Sequence, residues 1–341
     1  MSRQPRDQGS LRPLGAGDAH REPDSSGRQT VLVTGAGSGL GFESALFLAA
    51  KSYAVWGSVK NAAEETTLAE EARRRDVAVR LLRMDVTKQD EIDAAVRALL
   101  EEAGRIDALV HFAGVGLRGF FEDLDLEEVR RVYEVNVFGA MAVTQAVLPH
   151  MRAARAGRIV IASSVAGRFG TVGISGYASS KFAVEGFAEC VAVEVGPFGV
   201  HVSLLEPSLV LTPIFTVNRN RAARATDPSS PYYAWFCQHE QIVDEILRRN
   251  RVTPVDVARV VYRILTARRP RLRYVVGKGA KLAMSLRRHI PGELFERWWF
   301  GMVQRRVTAP RHQVNGLSGP RGFSNCRDPR GREHLDTVKS S

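Results

Sequence analysis

Short apolar runs alternate with longer amphipathic runs between residues 30 and 276. The apolar runs are rich in Val, Ile and Leu, which is typical of strands buried on both faces of a parallel sheet. They lie at residues 30–34, 54–59, 79–84, 108–112, 158–163, 200–205 and 272–276. The amphipathic runs have helical spacing and lie at residues 42–51, 64–75, 90–103, 126–154 and 254–267. This alternation predicts an α/β fold with a doubly wound parallel sheet, helices on both faces, and ligands at the carboxyl ends of the strands.

A glycine-rich turn joins the first predicted strand to the first predicted helix. It reads Gly35-Ala-Gly-Ser-Gly-Leu-Gly41. Glycines let the backbone turn tightly and approach a pyrophosphate, whose charge is stabilised by the N-terminus of the following helix. Between a strand and a helix, this pattern predicts a Rossmann fold that binds a dinucleotide. The cofactor contacts expected here are Gly35, Ser38, Gly39, Leu40 and Gly41.

The end of the second predicted strand bears on the choice of cofactor. An acidic residue at this point would bind the ribose 2′-hydroxyl of NAD, whereas this chain offers Lys60 and no acid. A cation suits the 2′-phosphate of NADP. NADP(H) is therefore the preferred cofactor and NAD(H) the alternative, while an ordinary solvated lysine is the other interpretation of Lys60.

Tyr177 and Lys181 are four residues apart, so they share one face if a helix begins near Tyr177. An ammonium beside a phenol favours the phenolate and lowers a tyrosine pKa from its usual value near ~10. Ser164 adds a hydroxyl that could hold a carbonyl or alcohol oxygen beside the phenol. These residues predict proton transfer at a carbinol carbon, although a Tyr-Lys pair at this spacing also occurs on solvated helix faces.

Charge and cysteine content exclude several functions. The net charge is +11, and residues 251–306 hold 14 Lys and Arg against 3 Asp and Glu, while residues 29–250 hold 23 against 27. The basic character belongs to one segment rather than to a broad surface, so nucleic acid is not an expected partner. Three widely spaced cysteines argue against disulfides and zinc, no metal site is expected, and His111 is interpreted as a buried, satisfied histidine.

Both ends of the chain are rich in polar residues, Gly and Pro, so residues 1–28 and 307–341 are predicted to be disordered tails. We find no leader-like apolar run and no stretch of ~20 apolar residues that would span a membrane. A cytoplasmic protein is expected, with peripheral contact to a membrane surface left open.

Five motifs, taken in order, make residues 29–280 similar to the single-domain branch of the short-chain dehydrogenase/reductase family. The glycine turn with Thr34 resembles its coenzyme turn, and Asp85-Val86 resembles its adenine contact. Ala113-Gly114 resembles the end of its Asn-Asn-Ala-Gly motif, although His111-Phe112 replaces the two asparagines. The catalytic set is matched by Asn136, Ser164, Tyr177 and Lys181. The loop that holds the nicotinamide is matched by residues 207–212, where Ser208 replaces a glycine.

The resemblance implies a role for each matched residue. Tyr177 is the general acid/base, and Lys181 lowers its pKa and holds the nicotinamide ribose. Ser164 polarises the substrate oxygen, and Asn136 supports a water relay to Lys181. The cofactor carries the hydride. The other implied cofactor contacts are Asp85, Val86, Ala113, Gly114, Pro207, Val210 and Thr212.

Two segments are candidates for substrate or surface contacts. The regular alternation stops at residues 214–250, where the family has its substrate lid, and this lid carries Phe215, Tyr232, Tyr233, Trp235 and Phe236. These rings either form an aromatic substrate wall or pack the lid on the body. Residues 279–306 form a basic, amphipathic helical extension with Trp298 and Trp299. It either lies on an anionic membrane or packs on protein.

Together these features predict a Rossmann domain at residues 29–278 that interconverts an alcohol and a ketone or aldehyde. The extension resembles that of hydroxysteroid and retinol dehydrogenase-like members, which implies a lipophilic steroid-, retinoid- or lipid-like substrate and a homo-oligomer. The alternative is a catalytically silent regulatory protein that binds a dinucleotide.

Overall fold

Seven parallel strands form a single sheet in the computed structural model, which describes residues 27–308 apart from the side chain of Lys278. The strands are β1 (Thr30–Thr34), β2 (Ala54–Val59), β3 (Val79–Arg83), β4 (Ala108–His111), β5 (Gly157–Ala162), β6 (Val200–Pro207) and β7 (Arg273–Val276). Their order across the sheet is β3-β2-β1-β4-β5-β6-β7. The order reverses between β1 and β4, and ligands bind at such a switch point in doubly wound sheets. The predicted fold class is confirmed.

Helices connect the strands and cover both faces of the sheet. They are α1 (Gly39–Ala49), α2 (Ala62–Arg74), α3 (Gln89–Ala103), α4 (Leu126–Tyr133), α5 (Gly139–Ala153), α6 (Ser175–Val195), α7 (Tyr233–Arg249), α8 (Pro254–Thr266), α9 (Lys278–His289) and α10 (Gly292–Thr308). The predicted helix at 126–154 is interrupted by a π-helical turn, Glu134–Phe138. Helix α7 lies inside the segment where the sequence predicted no regular element.

The two sides of β1 show why both faces of the sheet are apolar. Val31 and Val33 point to one side and pack with residues of α1, α2 and α8. Leu32 points to the other side and packs with residues of α3, α5 and α6. Alternate residues of a strand face opposite sides, so a strand between two helical layers needs apolar residues at every position. The central strands therefore read as continuous apolar runs.

The extension folds back onto the body as two helices, α9 and α10, with Pro291 in the turn between them. In α10, Phe295 is 1% exposed and Val307 4% exposed. The indole N–H of Trp299 donates to the carbonyl of Gly170 at 2.9 Å. Large apolar side chains of the same two helices remain exposed, namely Leu282, Leu294, Trp298 and Phe300. The extension thus packs on protein and also presents an apolar surface.

The predicted tails lie almost wholly outside the described residues. Four of their residues are described: residues 27 and 28 carry no regular secondary structure, and residues 307 and 308 belong to α10. Within residues 27–308, no helix is both long and apolar enough to cross a membrane.

Candidate active site

In the turn between β1 and α1, glycines allow backbone segments to approach each other closely. Gly35 has φ +64°, and a Cβ there would lie 2.8 Å from the amide nitrogen of Ala113. A Cβ on Gly41 would lie 2.2 Å from the carbonyl oxygen of Gly35. Only glycine fits these positions. Ser38, the N-cap of α1, makes no side-chain capping bond, so the first amides of α1 stay uncapped where residues 38–41 line the groove beside the turn.

A groove of about 460 Å³ runs along this turn at the carboxyl edge of the sheet. Such a crevice, with open amides at a helix N-terminus, fits a dinucleotide. Most of the predicted cofactor contacts line it: Gly35, Ser38, Gly39, Leu40, Gly41, Lys60, Asp85, Val86, Ala113, Gly114, Tyr177, Lys181 and Thr212. Pro207 and Val210 line a neighbouring cavity instead.

Lys60 and two carboxylates meet at the end of β2. The ammonium of Lys60 lies 2.9 Å from Asp85. Although burial raises the pKa of Asp85, hydrogen bonds from Lys60 and Thr87 hold it below its usual value. The carboxylate of Glu64 accepts the backbone N–H of Lys60 at 2.8 Å and lies against Gly37. The prediction that no acid stands here is wrong, because the first turn of α2 brings Glu64 back to the strand end.

Tyr177 lies in the first turn of α6 and Lys181 one turn further, as predicted. The ammonium of Lys181 lies 5.8 Å from the centre of the Tyr177 ring and donates to the carbonyl of Ala162 at 2.8 Å. Ser164 follows β5, and its hydroxyl lies close enough to the phenol of Tyr177 to lower the pKa of that phenol. The end of β5 and the start of α6 therefore bring the three predicted catalytic side chains together.

Burial is the largest influence on the pKa values of Tyr177 and Lys181. It raises the pKa of Tyr177, against the opposing effects of the Ser164 hydrogen bond and the charge of Arg118. The direction is opposite to the predicted one, because desolvation destabilises the phenolate by more than Ser164 and Arg118 stabilise it. Burial also lowers the pKa of Lys181 to about 8, although the charge of Glu185 opposes it. At neutral pH the site therefore holds a protonated phenol and a charged lysine.

Asn136 sits in the π-helical turn and ties the end of β4 to α6. Its amide oxygen accepts the N–H of Val115 at 2.8 Å, and its amide nitrogen donates to the carbonyl of Val115 at 3.0 Å and to Ser180 at 3.1 Å. A Cβ on Gly114 would lie 3.2 Å from the Asn136 oxygen and 3.7 Å from the Lys181 nitrogen. Asn136 and Lys181 therefore border the same glycine, and π-turns are frequent at functional sites.

His111 is buried in β4, but only half of its ring is satisfied. Its Nδ1 lies 3.0 Å from the hydroxyl oxygen of Thr34. Its Nε2 has no hydrogen-bond partner among the residues that the structure describes. The expectation of a fully satisfied histidine is therefore corrected. No metal-binding group of His, Cys, Asp or Glu occurs in the described part of the chain.

A second cavity, of about 710 Å³, adjoins the groove at the catalytic group. Ser164 and Tyr177 lie at its base. Its walls are mostly aliphatic and come from the loop after β4, from α7, from α9 and from α10. The last helix contributes Trp299, Met302, Val303 and Val307. The sequence did not predict that the extension would line a cavity.

The predicted aromatic wall is mostly packing. Of the five lid rings, Phe215 alone lines the cavity. Phe236 is fully buried in a small core with Leu117 and Val132. Tyr232 stacks on Phe120 with ring centres 5.0 Å apart. The packing interpretation is therefore correct for most of the lid.

Comparisons with known proteins agree with this geometry. A family model described as short chain dehydrogenase matches residues 29–223. The 3-ketodihydrosphingosine reductase of Bacteroides thetaiotaomicron is 34% identical over 249 residues, covering 73% of this chain and 88% of the relative. Retinol dehydrogenase 8 of Bos taurus is 34% identical over 255 residues, covering 72% of this chain and 80% of the relative.

A solved structure shows the same architecture. A variant of actinorhodin polyketide ketoreductase with NADPH has a TM-score of 0.65 and 29% identity, covering 74% of this chain and 97% of its own. The matched stretch of the family model holds the glycine turn and all four predicted catalytic residues. The chain belongs to the short-chain dehydrogenase/reductase family of oxidoreductases.

Proposed function

We propose that this protein is an NADP(H)-dependent oxidoreductase that interconverts an alcohol and a ketone or aldehyde on a lipophilic substrate. One observation carries the proposal: Tyr177 lines both the dinucleotide groove and the apolar cavity. Lys181 lines the groove and Ser164 lines the cavity. A proton donor that stands between a cofactor site and a substrate site suits hydride transfer coupled to proton transfer.

The residues act on the substrate oxygen in our proposal. When bound, NADP(H) supplies or accepts the hydride. Ser164 donates a hydrogen bond to the carbonyl oxygen and so stabilises the charge that develops on it. Tyr177, protonated at neutral pH, gives its proton to the same oxygen during reduction and takes it back during oxidation. Lys181 holds a positive charge beside the phenol, and Asn136 keeps the end of β4 fixed against α6.

The preference for NADP(H) rests on Lys60, the cation at the β2 end of the groove. A 2′-phosphate would compete with Asp85 for the Lys60 ammonium. Glu64 opposes a phosphate at this place, so the preference depends on the balance between Lys60 and Glu64. NAD(H) is the alternative cofactor.

The substrate class rests on the cavity, which is large and mostly aliphatic. A volume of about 710 Å³ is within the range of pockets that enclose lipid-sized or drug-sized molecules. The names of two relatives, a retinol dehydrogenase and a ketodihydrosphingosine reductase, are consistent with steroid-, retinoid- or lipid-like compounds. An NADPH-oxidation screen over such carbonyl compounds tests the proposal. If NADPH binds and no compound is reduced, the silent regulatory protein becomes the better interpretation.

We also propose that the extension contacts anionic membranes, where lipophilic substrates concentrate. The exposed fractions are 62% for Leu282, 58% for Leu294, 48% for Trp298 and 46% for Phe300. Apolar side chains beside Lys and Arg are typical of helices that lie on anionic lipid. Removal of residues 279–341 from a folded protein should abolish binding to such vesicles.

A homo-oligomer is the expected assembly, and α6 offers a face for it. Phe182 is 43% exposed and Val193 is 79% exposed. Their spacing places them on the same side of the helix, and the exposed Phe138 immediately precedes α5. Phe182→Glu should lower the mass measured by light scattering if this face joins two copies.

A further inference from the structure

A buried ionic cluster stands against the wall of the apolar cavity. The guanidinium of Arg118 donates through Nε to Glu240 at 2.6 Å. Arg219 and Arg221 each lie 2.9 Å from the other oxygen of Glu240. Arg219 also pairs with Asp244. Glu240 is fully buried, and the Arg118 side chain is 9% exposed.

The cluster is one negative charge short. Three arginines face two carboxylates among the residues that the structure describes. His239 adds no charge at neutral pH, because burial and the nearby Arg118 lower its pKa to about 4. A buried cation without a counter-charge is costly, so an excess arginine calls for an anionic partner.

Arg118 is the member of the cluster that reaches the cavity. It lines the cavity, whereas Arg219 and Arg221 do not. Its Nη2 is buried and has no hydrogen-bond partner among residues 27–308. Its guanidinium carbon lies 5.9 Å from the centre of the Phe215 ring, which also lines the cavity.

The described lining of the cavity contains no carboxylate that could neutralise Arg118. Its charged residues are Arg118, Arg249 and Arg306, and no Asp or Glu side chain lines it. Arg249 and Arg306 are exposed, and Arg249 pairs with Glu245 at 2.7 Å. These three arginines would therefore repel a ligand that carries an amine. An acidic ligand would meet the buried Arg118 and the two exposed arginines, all of which attract it.

Resting on the proposed function, we propose that Arg118 binds an acidic group of the substrate, so that the natural substrate is a lipophilic carbonyl compound or alcohol that carries a carboxylate or a similar anion. The apolar walls bind its hydrocarbon part, and Ser164 with Tyr177 bind the reacting oxygen. Neutral lipophilic compounds bind more weakly, and sphingoid-type amines are rejected.

Binding of unreactive probes tests this without turnover. Dodecanoate, dodecan-1-ol and dodecylamine are titrated below their micelle concentrations by calorimetry and by the fluorescence of Trp299, which lines the cavity. We expect dodecanoate to bind about tenfold or more tightly than the alcohol, since a charge-assisted hydrogen bond to a buried donor is gained. We expect the amine to bind more weakly than the alcohol. Equal affinities for acid and alcohol overturn the proposal.

Two substitutions localise the effect. Arg118→Met removes one positive charge and leaves two arginines paired with two carboxylates, so the charges of the buried cluster are balanced. It should remove the preference for dodecanoate while leaving dodecan-1-ol binding within about threefold. Arg221→Met also leaves two arginines on two carboxylates but keeps the donor that lines the cavity, so it should weaken the preference less than Arg118→Met does. Equal losses in the two variants overturn the proposal.

The proposed function is tested separately by Tyr177-dependent reduction of any carbonyl compound. If reduction is observed but no probe preference is found, the function stands and the role of Arg118 fails. If Arg118→Met does not fold, the three wild-type titrations alone decide the matter.

Discussion

Nδ1 of His111 accepts its hydrogen bond from the Thr34 hydroxyl, 3.0 Å away across the β1–β4 pair. The same hydroxyl oxygen accepts the backbone N–H groups of Phe112 and Ala113, both at 3.2 Å. Its own proton is therefore left for Nδ1, and the ring proton of the neutral histidine is on Nε2. Burial, together with the charge of Lys181, lowers the pKa of His111 to about 3.

The first prediction is that His111 makes the protein sensitive to acid. In the unfolded chain a histidine has a pKa near ~6.5, so between that value and pH 3 the unfolded state binds more protons than the folded state. The free energy of unfolding therefore falls as the pH is lowered through this window. A pKa difference of one unit corresponds to about 1.4 kcal/mol. Across the whole window, His111 alone therefore lowers the free energy of unfolding by at most about 5 kcal/mol.

Urea denaturation of the wild type and of His111→Asn at pH 7 and pH 4.5 measures this contribution. The stability difference between them should shift in favour of the variant at the lower pH. His150→Asn, which changes an exposed histidine, is the control and should show no such shift. A difference that is the same at both pH values would contradict the prediction.

The second prediction is that Tyr177→Phe removes turnover but not cofactor binding. The phenol hydroxyl is the proton donor, and loss of one general acid/base costs on the order of 10²–10⁴ in rate. The ring that lines the groove is retained, so NADPH affinity measured by fluorescence should change little. Tyr262→Phe, at a tyrosine packed against Phe47 and Tyr53 away from the groove, is the matched control. Full activity in Tyr177→Phe would end the mechanism.

The third prediction concerns Lys60 and Glu64. Lys60→Asp should weaken NADPH binding about tenfold or more, because a charge-assisted contact is lost, and should affect NADH binding much less. Glu64→Gln should strengthen NADPH binding and leave NADH nearly unchanged, since it removes the opposing charge. Fluorescence titration of both cofactors checks this, with Lys51→Asp as an exposed control. If NADPH and NADH affinities fall equally in Lys60→Asp, Lys60 does not contact the 2′-phosphate.

The fourth prediction separates the two tryptophans of α10. Trp298 is 48% exposed, whereas Trp299 packs on Phe169 with ring centres 4.8 Å apart. Trp298→Ala should reduce co-sedimentation with anionic vesicles, and high salt should weaken the binding of the wild type. Phe121→Ala, which removes an exposed ring outside the extension, should not reduce it. A wild-type protein that stays in the supernatant at low salt would refute membrane contact.

The glycine turn and the Tyr177–Lys181 pair could be predicted because their geometry follows from adjacent sequence. A strand, a turn and a helix fix Gly35 and Gly41, and one helical turn fixes Lys181 relative to Tyr177. The direction of the Tyr177 pKa could not be predicted, because it depends on burial by residues distant in the sequence. Glu64 was missed for a related reason: the first turn of α2 folds back to the strand end that precedes it.

The walls of the cavity were the least predictable part. Arg118, Phe215 and Trp299 come from three separate segments and meet only after α7 and α10 have packed on the sheet. The composition of the lid suited a substrate wall and internal packing equally well. The structure shows that Phe236 and Tyr232 pack against protein. A hydrophobic pattern shows that a residue is buried but does not show whether its neighbours are core atoms or a ligand.

Helices α7, α9 and α10 add walls to the cavity from outside the stretch that holds the predicted catalytic residues. Every predicted catalytic residue lies within residues 29–223, the stretch that the family model matches. A part of the cavity wall, from His239 to Val307, follows that stretch. Mutations after residue 223 can therefore reshape this part of the cavity without replacing a predicted catalytic residue. Descendants of one ancestral enzyme can in this way vary the shape of the substrate site through the last third of the gene.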